Sequence, residues 1–190
     1  MIAAVALALG NILSAQATVY VWNVTTPGAN DWNASGNWNI AGFPGNADTA
    51  IFNATGSSAN STTVNNVVSA NTTVAALSYT NIVNNTWHVT QIPTGVTLTV
   101  TNLTVGFLTN DTAVALVAMT GGGTFQVMNA TMNVGACGAA SAPPAPSQLD
   151  LSGINNFIYA APTGTNNMGI GNRSSVNFNL ASVSNSITCA

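Results

Sequence analysis

The side chains that could carry chemistry are few and scattered. His88 is the one histidine, Asp31, Asp48, Asp111 and Asp150 are the only acids, and Arg173 is the only strong base. General acid–base work needs titratable groups close together. A Ser-His-Asp arrangement is arithmetically open to His88 and one aspartate, but no nucleophile-elbow sequence accompanies it. His88 follows Trp87 in a strand-like stretch and reads as a surface histidine or a satisfied, partly buried one. Glycoside cleavage needs paired carboxylates. Asp31 and Asp48 are the one pair that could approach, near a cluster of tryptophans. Both sit in turn contexts where Asp commonly bonds its own backbone. A single histidine cannot build a His-rich metal site, and no Asp-rich calcium loop is present. The chain is therefore read as no enzyme, with no catalytic residues, no metal site and no cofactor. A polysaccharide-degrading enzyme is the weaker alternative.

Two other groups of residues could bind or cross-link. Trp22, Trp32 and Trp38 fall in one turn-rich stretch. Flat indole faces suit pyranose rings, so these three are the candidate residues of a carbohydrate-binding platform. The competing reading is burial, because large aromatic rings contribute most when removed from water. Cys137 and Cys189 are the only cysteines, and they could pair as a disulfide or remain two small buried thiols.

Charge limits the partners. Only 3% of the residues are charged, with no Lys and no Glu. Such a chain offers no basic surface to phosphates, which excludes nucleic acid and a polybasic membrane contact. It is also 47% hydrophobic, unlike a disordered chain. The polar remainder is mostly Asn, Thr, Ser and Gly, which suits strands joined by tight turns.

The elements that must position these residues are short strands. Residues 1–17 read as a signal peptide, with an apolar run from Ile2 to Leu13 and the small-x-small site Ala15-Gln16-Ala17. No other stretch qualifies as a membrane span, so none is expected in the mature chain. Residues 18–60 form a Trp-rich N-terminal cap region, with strands expected at Thr18–Trp22 and Thr49–Asn53. From residue 61 strands are expected at Thr62–Val68, Thr72–Tyr79, Thr86–Ile92, Val96–Val105, Ala113–Met119, Gln148–Leu151, Phe157–Tyr159 and Val176–Leu180. Residues 138–147 are rich in Pro and Ala and read as a loop. Two passages, Gly95–Gly106 and Gly123–Gly135, each alternate apolar residues with Thr or Asn and close on Val-Gly. They read as an internal β repeat about one coil of a solenoid long. A solenoid needs an end cap over its first coil, and large aromatics in an irregular N-terminal segment could supply it. Thr97, Thr99 and Thr101 share one strand face, an ordinary solvent-facing surface or, less readily, an ice-binding array.

The order Trp22, Trp32, Asn37-Trp38, Pro44-Gly45, Asp48-Thr-Ala-Ile-Phe52 resembles the start of secreted bacterial proteins with autotransporter-associated β-strand repeats. Many of these carry a PEP-CTERM sorting tail. Leu149–Phe157 and Val183–Thr188 resemble their downstream repeats. The resemblance spans most of residues 19–190. It implies a right-handed parallel β-helix at the cell surface or outside the cell. No sorting tail follows and no membrane-embedded barrel is present. The chain stops at Ala190 within what reads as a repeat, the expectation for an N-terminal part of something longer.

The reading is an all-β chain, a right-handed parallel β-helix (β-solenoid) with an aromatic N-terminal cap, the alternative being a β-sandwich. The expected role is a secreted or cell-surface, non-catalytic scaffold or adhesin-like segment. Its partners are itself or cell-surface polysaccharide.

Overall fold

A computed structural model of the chain describes residues 16–80, 86–107, 115–128, 131–137, 147–161, 168–170 and 176–189. Three sequence expectations lie wholly or largely outside them: the signal peptide, the first residues of the Ala113–Met119 strand and the 138–147 loop up to residue 146. The strands are β1 (Val19–Val21), β2 (Thr49–Phe52), β3 (Asn66–Val67), β4 (Thr72–Tyr79), β5 (Trp87–Gln91), β6 (Thr97–Phe107) and β7 (Leu116–Thr120). They continue with β8 (Thr124–Met128), β9 (Met132–Cys137), β10 (Ser147–Asp150), β11 (Asn156–Ala161), β12 (Met168–Ile170), β13 (Val176–Asn179) and β14 (Ser184–Cys189). The helix content of the described residues is one 3-10 turn, Ser35–Asn37.

Every pairing between these strands is parallel, and partners lie roughly one coil apart in sequence. Thr97 pairs with Thr124, Asn156 with Ser184, and Leu116 with Gln148. The separation varies from 24 residues (Asn66 to Thr90) to 36 (Met132 to Met168). A β-sandwich is built from antiparallel strands joined by hairpins and Greek keys, so this pattern excludes that alternative. The fold is a parallel β-solenoid.

The ladders define three faces. One runs through the first half of β4, the first half of β6, then β8, β11 and β14. The second runs through β1, β2, the second halves of β4 and β6, then β9 and β12. The third is β3, β5, β7, β10 and β13. In β4 and β6 the first two faces share one continuous strand. The inward alternation slips there: Val74 and Leu77 are buried, as are Val100 and Leu103, with two outward or half-buried residues between each pair. Strict alternation has period two, so a three-residue step between inward positions turns the chain from one face to the next. Asn102 stands at that corner. Its amide donates to Ala75 O at 3.5 Å on the coil before and its Oδ1 accepts from Thr131 N at 3.4 Å on the coil after.

The two similar passages lie on neighbouring coils, stacked residue on residue. Leu98 meets Phe125, Val100 meets Val127, Leu103 meets Met132 and Val105 meets Val134. Where the sequence predicts two short strands in each, the first passage is one eleven-residue strand and the second is two. After Val105 the register shifts, and Gly106 pairs with Ala136. Gly135 is the extra residue, held at φ +76°, where glycine avoids a Cβ clash.

Inward positions form columns running along the axis. One runs Ala50, Leu77, Leu103, Met132; another runs Val100, Val127, Tyr159. All of these residues are fully buried. Truncation of Leu103 to Ala removes a mid-column contact and is expected to cost about 2–5 kcal/mol. Thr104→Ala, on the outer side of the same strand, is expected to stay within about 0.5 kcal/mol of the parent. Urea unfolding of the two variants measures the difference.

Candidate functional site

The densest constellation lies at the N-terminal end. Trp22 continues β1, and residues 37–39 run back antiparallel beside it, with a Trp22–Trp38 bridge. Asn39 N donates to Val21 O at 2.9 Å, Asn23 N to Asn37 O at 2.9 Å, and Val21 N to Asn39 Oδ1 at 2.8 Å. Residues 30–32 pair in parallel with β3 through an Asp31–Val67 bridge: Val67 N donates to Asn30 O at 2.8 Å and Trp32 N to Val67 O at 2.9 Å. The Trp-rich segment thus occupies the outer edges of the first strands on two faces, which would otherwise expose unpaired backbone groups. Strand pairing begins inside this segment, at Val19, ahead of residue 61.

The three indoles are buried: Trp22 and Trp32 are 1% exposed and Trp38 is 3% exposed. They surround Phe52. Trp22 and Trp32 lie 5.3 Å from its ring and Trp38 5.7 Å, and Trp38 meets both other indoles edge-on at 5.1 and 5.7 Å. Phe52 stacks on Tyr79 of the next coil at 5.2 Å. Trp38 Nε1 donates to Trp32 O at 2.7 Å and Trp32 Nε1 to Asn66 Oδ1 at 2.6 Å. A sugar stacks on an open ring face, and in this structure none of the three rings offers one. The arrangement is that of an aromatic plug continuous with the core.

Behind the plug the third face turns polar side chains inward. His88 and Thr90 on β5 and Asn66 on β3 are all fully buried. Tyr79 Oη and Thr90 Oγ1 are hydrogen-bonded at 2.7 Å, and burial pushes the Tyr79 phenol well above its ordinary range. His88 packs 5.4 Å from Phe52 and 6.1 Å from Tyr79. Its Nε2 bonds to Asn53 O, while Nδ1 has no partner. The carbonyl can only accept, so Nε2 carries a proton. Desolvation pushes its pKa down to about 4, only partly opposed by the Asn53 carbonyl. Two further buried polar atoms, Trp22 Nε1 and Asn66 Nδ2, are also unpartnered. The histidine is thus neither on the surface nor fully satisfied. Trp87, its neighbour, is turned the other way and bridges to Ser58. The sequence carries a signal for Asn66: it stands two residues before the inward Val68, where a polar side chain must find a buried partner.

The aspartates are held in turns. Asp48 accepts from Thr18 N and Gly45 N, both at 2.9 Å. Asp31 accepts from Asn33 N at 2.9 Å and from the Ser69 hydroxyl at 2.8 Å. Asp150 accepts from Ser152 N at 2.9 Å. Asp111 and Arg173 lie outside the described residues. No group of three or more His, Cys, Asp or Glu that could hold a metal occurs among the described residues. Cys137 ends β9 opposite Phe107, and Cys189 ends β14 opposite Ala161. Their side chains, and with them the expected disulfide, lie outside the described residues. Thr97 and Thr99 neighbour Thr124 and Gln126 on the next coil, where Thr99 Oγ1 donates to Gln126 Oε1 at 3.2 Å. The run of hydroxyls thus ends at Gln126, and the outer row continues to Ile158. No helix among the described residues is long and apolar enough to cross a membrane.

Comparisons with protein-family models, with curated proteins and with solved structures return no match. The resemblance to autotransporter-associated repeats therefore rests on the sequence motifs alone.

Two outcomes follow from the plug. Trp32→Ala empties a buried indole site beside Phe52 and is expected to lower stability by about 3–5 kcal/mol, read by chemical unfolding. His88 gives the plug an acid sensitivity. The unfolded chain protonates this histidine near 6.5, whereas the folded chain keeps it neutral down to about 4. The unfolded state therefore binds more protons in that window. Stability is full above about pH 6.5 and falls by roughly 3 kcal/mol as the pH drops to about 4. His88→Leu is expected to flatten this slope in unfolding curves taken from pH 7 to pH 4.

Proposed function

We propose that the chain is a secreted or cell-surface, non-catalytic scaffold, an adhesin-like segment whose task is to hold an extended parallel ladder in place. The observation that carries this reading is how its reactive groups are used. The described aspartates are engaged in turn hydrogen bonds, and the histidine is sealed under Phe52 and Tyr79. None of these side chains is left convergent and accessible for a substrate. The Asn- and Thr-rich outside, the apolar run over residues 2–13 and the resemblance to autotransporter-associated repeat proteins support export.

The test has two parts. The intact mass of the product from its source cell should be short by residues 1–17, and the product should be cleaved by protease added to whole cells. A protease-protected product that keeps Met1 would contradict export. With neutral and acidic polysaccharides, no reducing ends or unsaturated products should appear. Asp31→Asn and Asp48→Asn should lower the melting point, whereas loss of a measurable cleavage activity in either variant would overturn the non-catalytic reading.

A further inference from the structure

The coils are not joined equally. Those that begin at β4, β6, β8 and β11 meet one another along all three faces. The joint ahead of β4 is paired on two. β2 pairs with the second half of β4 and β3 with β5, while the first half of β4 has no strand before it among the described residues. Residues 40–48, which precede β2, form bends and turns. They offer β4 the carbonyl of Asp48, which accepts from Ala75 N at 2.9 Å and Ala76 N at 3.2 Å. The buried polar atoms without partners gather at the same joint. Trp22 Nε1 and Asn66 Nδ2 lie in the unit ahead of it, and His88 Nδ1 lies within it. Each unmade bond leaves a desolvation cost that nothing offsets.

His88 is wedged in this joint. Phe52 and the Asn53 carbonyl reach it from the unit ahead, and Tyr79 from its own coil. Tyr79 is the titratable group that faces it, and burial keeps that phenol neutral. Val117, its neighbour on β7, and Asn66 on β3 bring no charge. Asp31, Asp48 and Asp150 are bonded in turns elsewhere. A proton arriving at Nδ1 therefore meets neither an acceptor nor a counter-charge among the described residues. Burial holds the imidazole pKa down at about 4, against 6.5 in water. The opened joint binds a proton over that window and the closed one does not, so acid favours opening.

We infer that this joint is an acid-operated switch: protonation of His88 releases residues 16–68 as one unit, while the coils from Thr72 onward keep their ladder. Opening here is enough to wet the imidazole, because Phe52 and Asn53 leave with the unit. It breaks pairing on two faces, whereas opening any of the next three joints breaks it on three. A solenoid coil touches only its neighbours, so one section can part from the rest without global unfolding. The pivot is exposed Ala70. On one side of it the Ser69 hydroxyl donates to Asp31 of the released unit at 2.8 Å; on the other, Asn71 Oδ1 accepts from Thr97 N at 2.9 Å. Release uncovers the edges of β4 and β5, which turns a capped ladder into one able to accept a strand. The switch goes beyond the scaffold reading and does not rest on it.

The test is site-resolved amide hydrogen exchange by nuclear magnetic resonance at pH 7 and pH 4, corrected for the intrinsic pH dependence of exchange. The amides of Asn65, Val68 and Thr80 donate across the joint, to Val89 O, Gln91 O and Phe52 O. They should share one opening equilibrium, larger than that of Leu103 and Gln148, whose amides donate to Thr131 O and Ala115 O in the later coils. The shared equilibrium should grow about a hundredfold from pH 7 to pH 4. His88→Leu should abolish that rise. His88→Gln, which keeps a donor for the Asn53 carbonyl, should do the same and guards against a folding defect in the first variant. Asp48→Asn loosens the same unit but leaves the histidine, and should keep the rise. Melting curves at pH 7 establish which variants are folded. A single opening equilibrium common to the joint and the later coils would overturn the inference. So would an absent rise, a rise that survives the histidine variants, or one that vanishes in Asp48→Asn.

Discussion

The coil-to-coil backbone ladder is the interaction on which the rest depends. A parallel strand satisfies its backbone groups only when a neighbour lies on each side, so every coil needs the next one. The same ladder brings inward side chains into register and makes columns of them. Leu103 is buried because Leu77 lies before it and Met132 after it. A fold of this kind has no closing element of its own, and its two ends are where the ladder must be stopped or continued.

The interior changes along the axis in step with that requirement. It begins with tryptophans, Phe52 and Tyr79, which fill a wide space irregularly and bring polar ring atoms that need partners. The column His88, Val117, Leu149, Phe178 shows the transition on one face, from a buried imidazole to aliphatic and aromatic side chains. The coil after the plug is lined by Leu98, Val100, Leu103 and Val105, and Phe125 stacks on Phe157 farther along. The plug is tied by hydrogen bonds and ring contacts, yet Trp22 Nε1, Asn66 Nδ2 and His88 Nδ1 are left without partners in it. His88 and Tyr79, both able to titrate, are buried there against Phe52.

Much of the fold is legible in the sequence, and the misses have local causes. β4 is expected and found at Thr72–Tyr79, because Asn71 punctuates its start and its inward residues alternate cleanly within each half. The strand expected over Thr62–Val68 shrinks to Asn66–Val67. Asn60 Oδ1 accepts from the backbone and hydroxyls of both Thr62 and Thr63, and this side-chain turn overrides the strand preference of threonine. The variable coil length hides the repeat: only the passages starting at Gly95 and Gly123, one coil apart, keep a visible likeness. The Trp segment is legible as an aromatic cap, but its burial removes the ring faces that made those residues candidates for sugar binding. The inward turn of His88 is not legible, since Trp87 is the larger and more apolar of the two. Its direction is set by Phe52 and Tyr79, both far away in sequence.

Interstrand amide and Hα contacts measured by nuclear magnetic resonance report on the parallel ladder itself. Contacts are expected between Val100 and Val127 and between Ile158 and both Gln126 and Ser186, in the staggered pattern of parallel strands. Close Hα–Hα pairs between strands adjacent in sequence, such as β7 with β8, would mark antiparallel hairpins and contradict it.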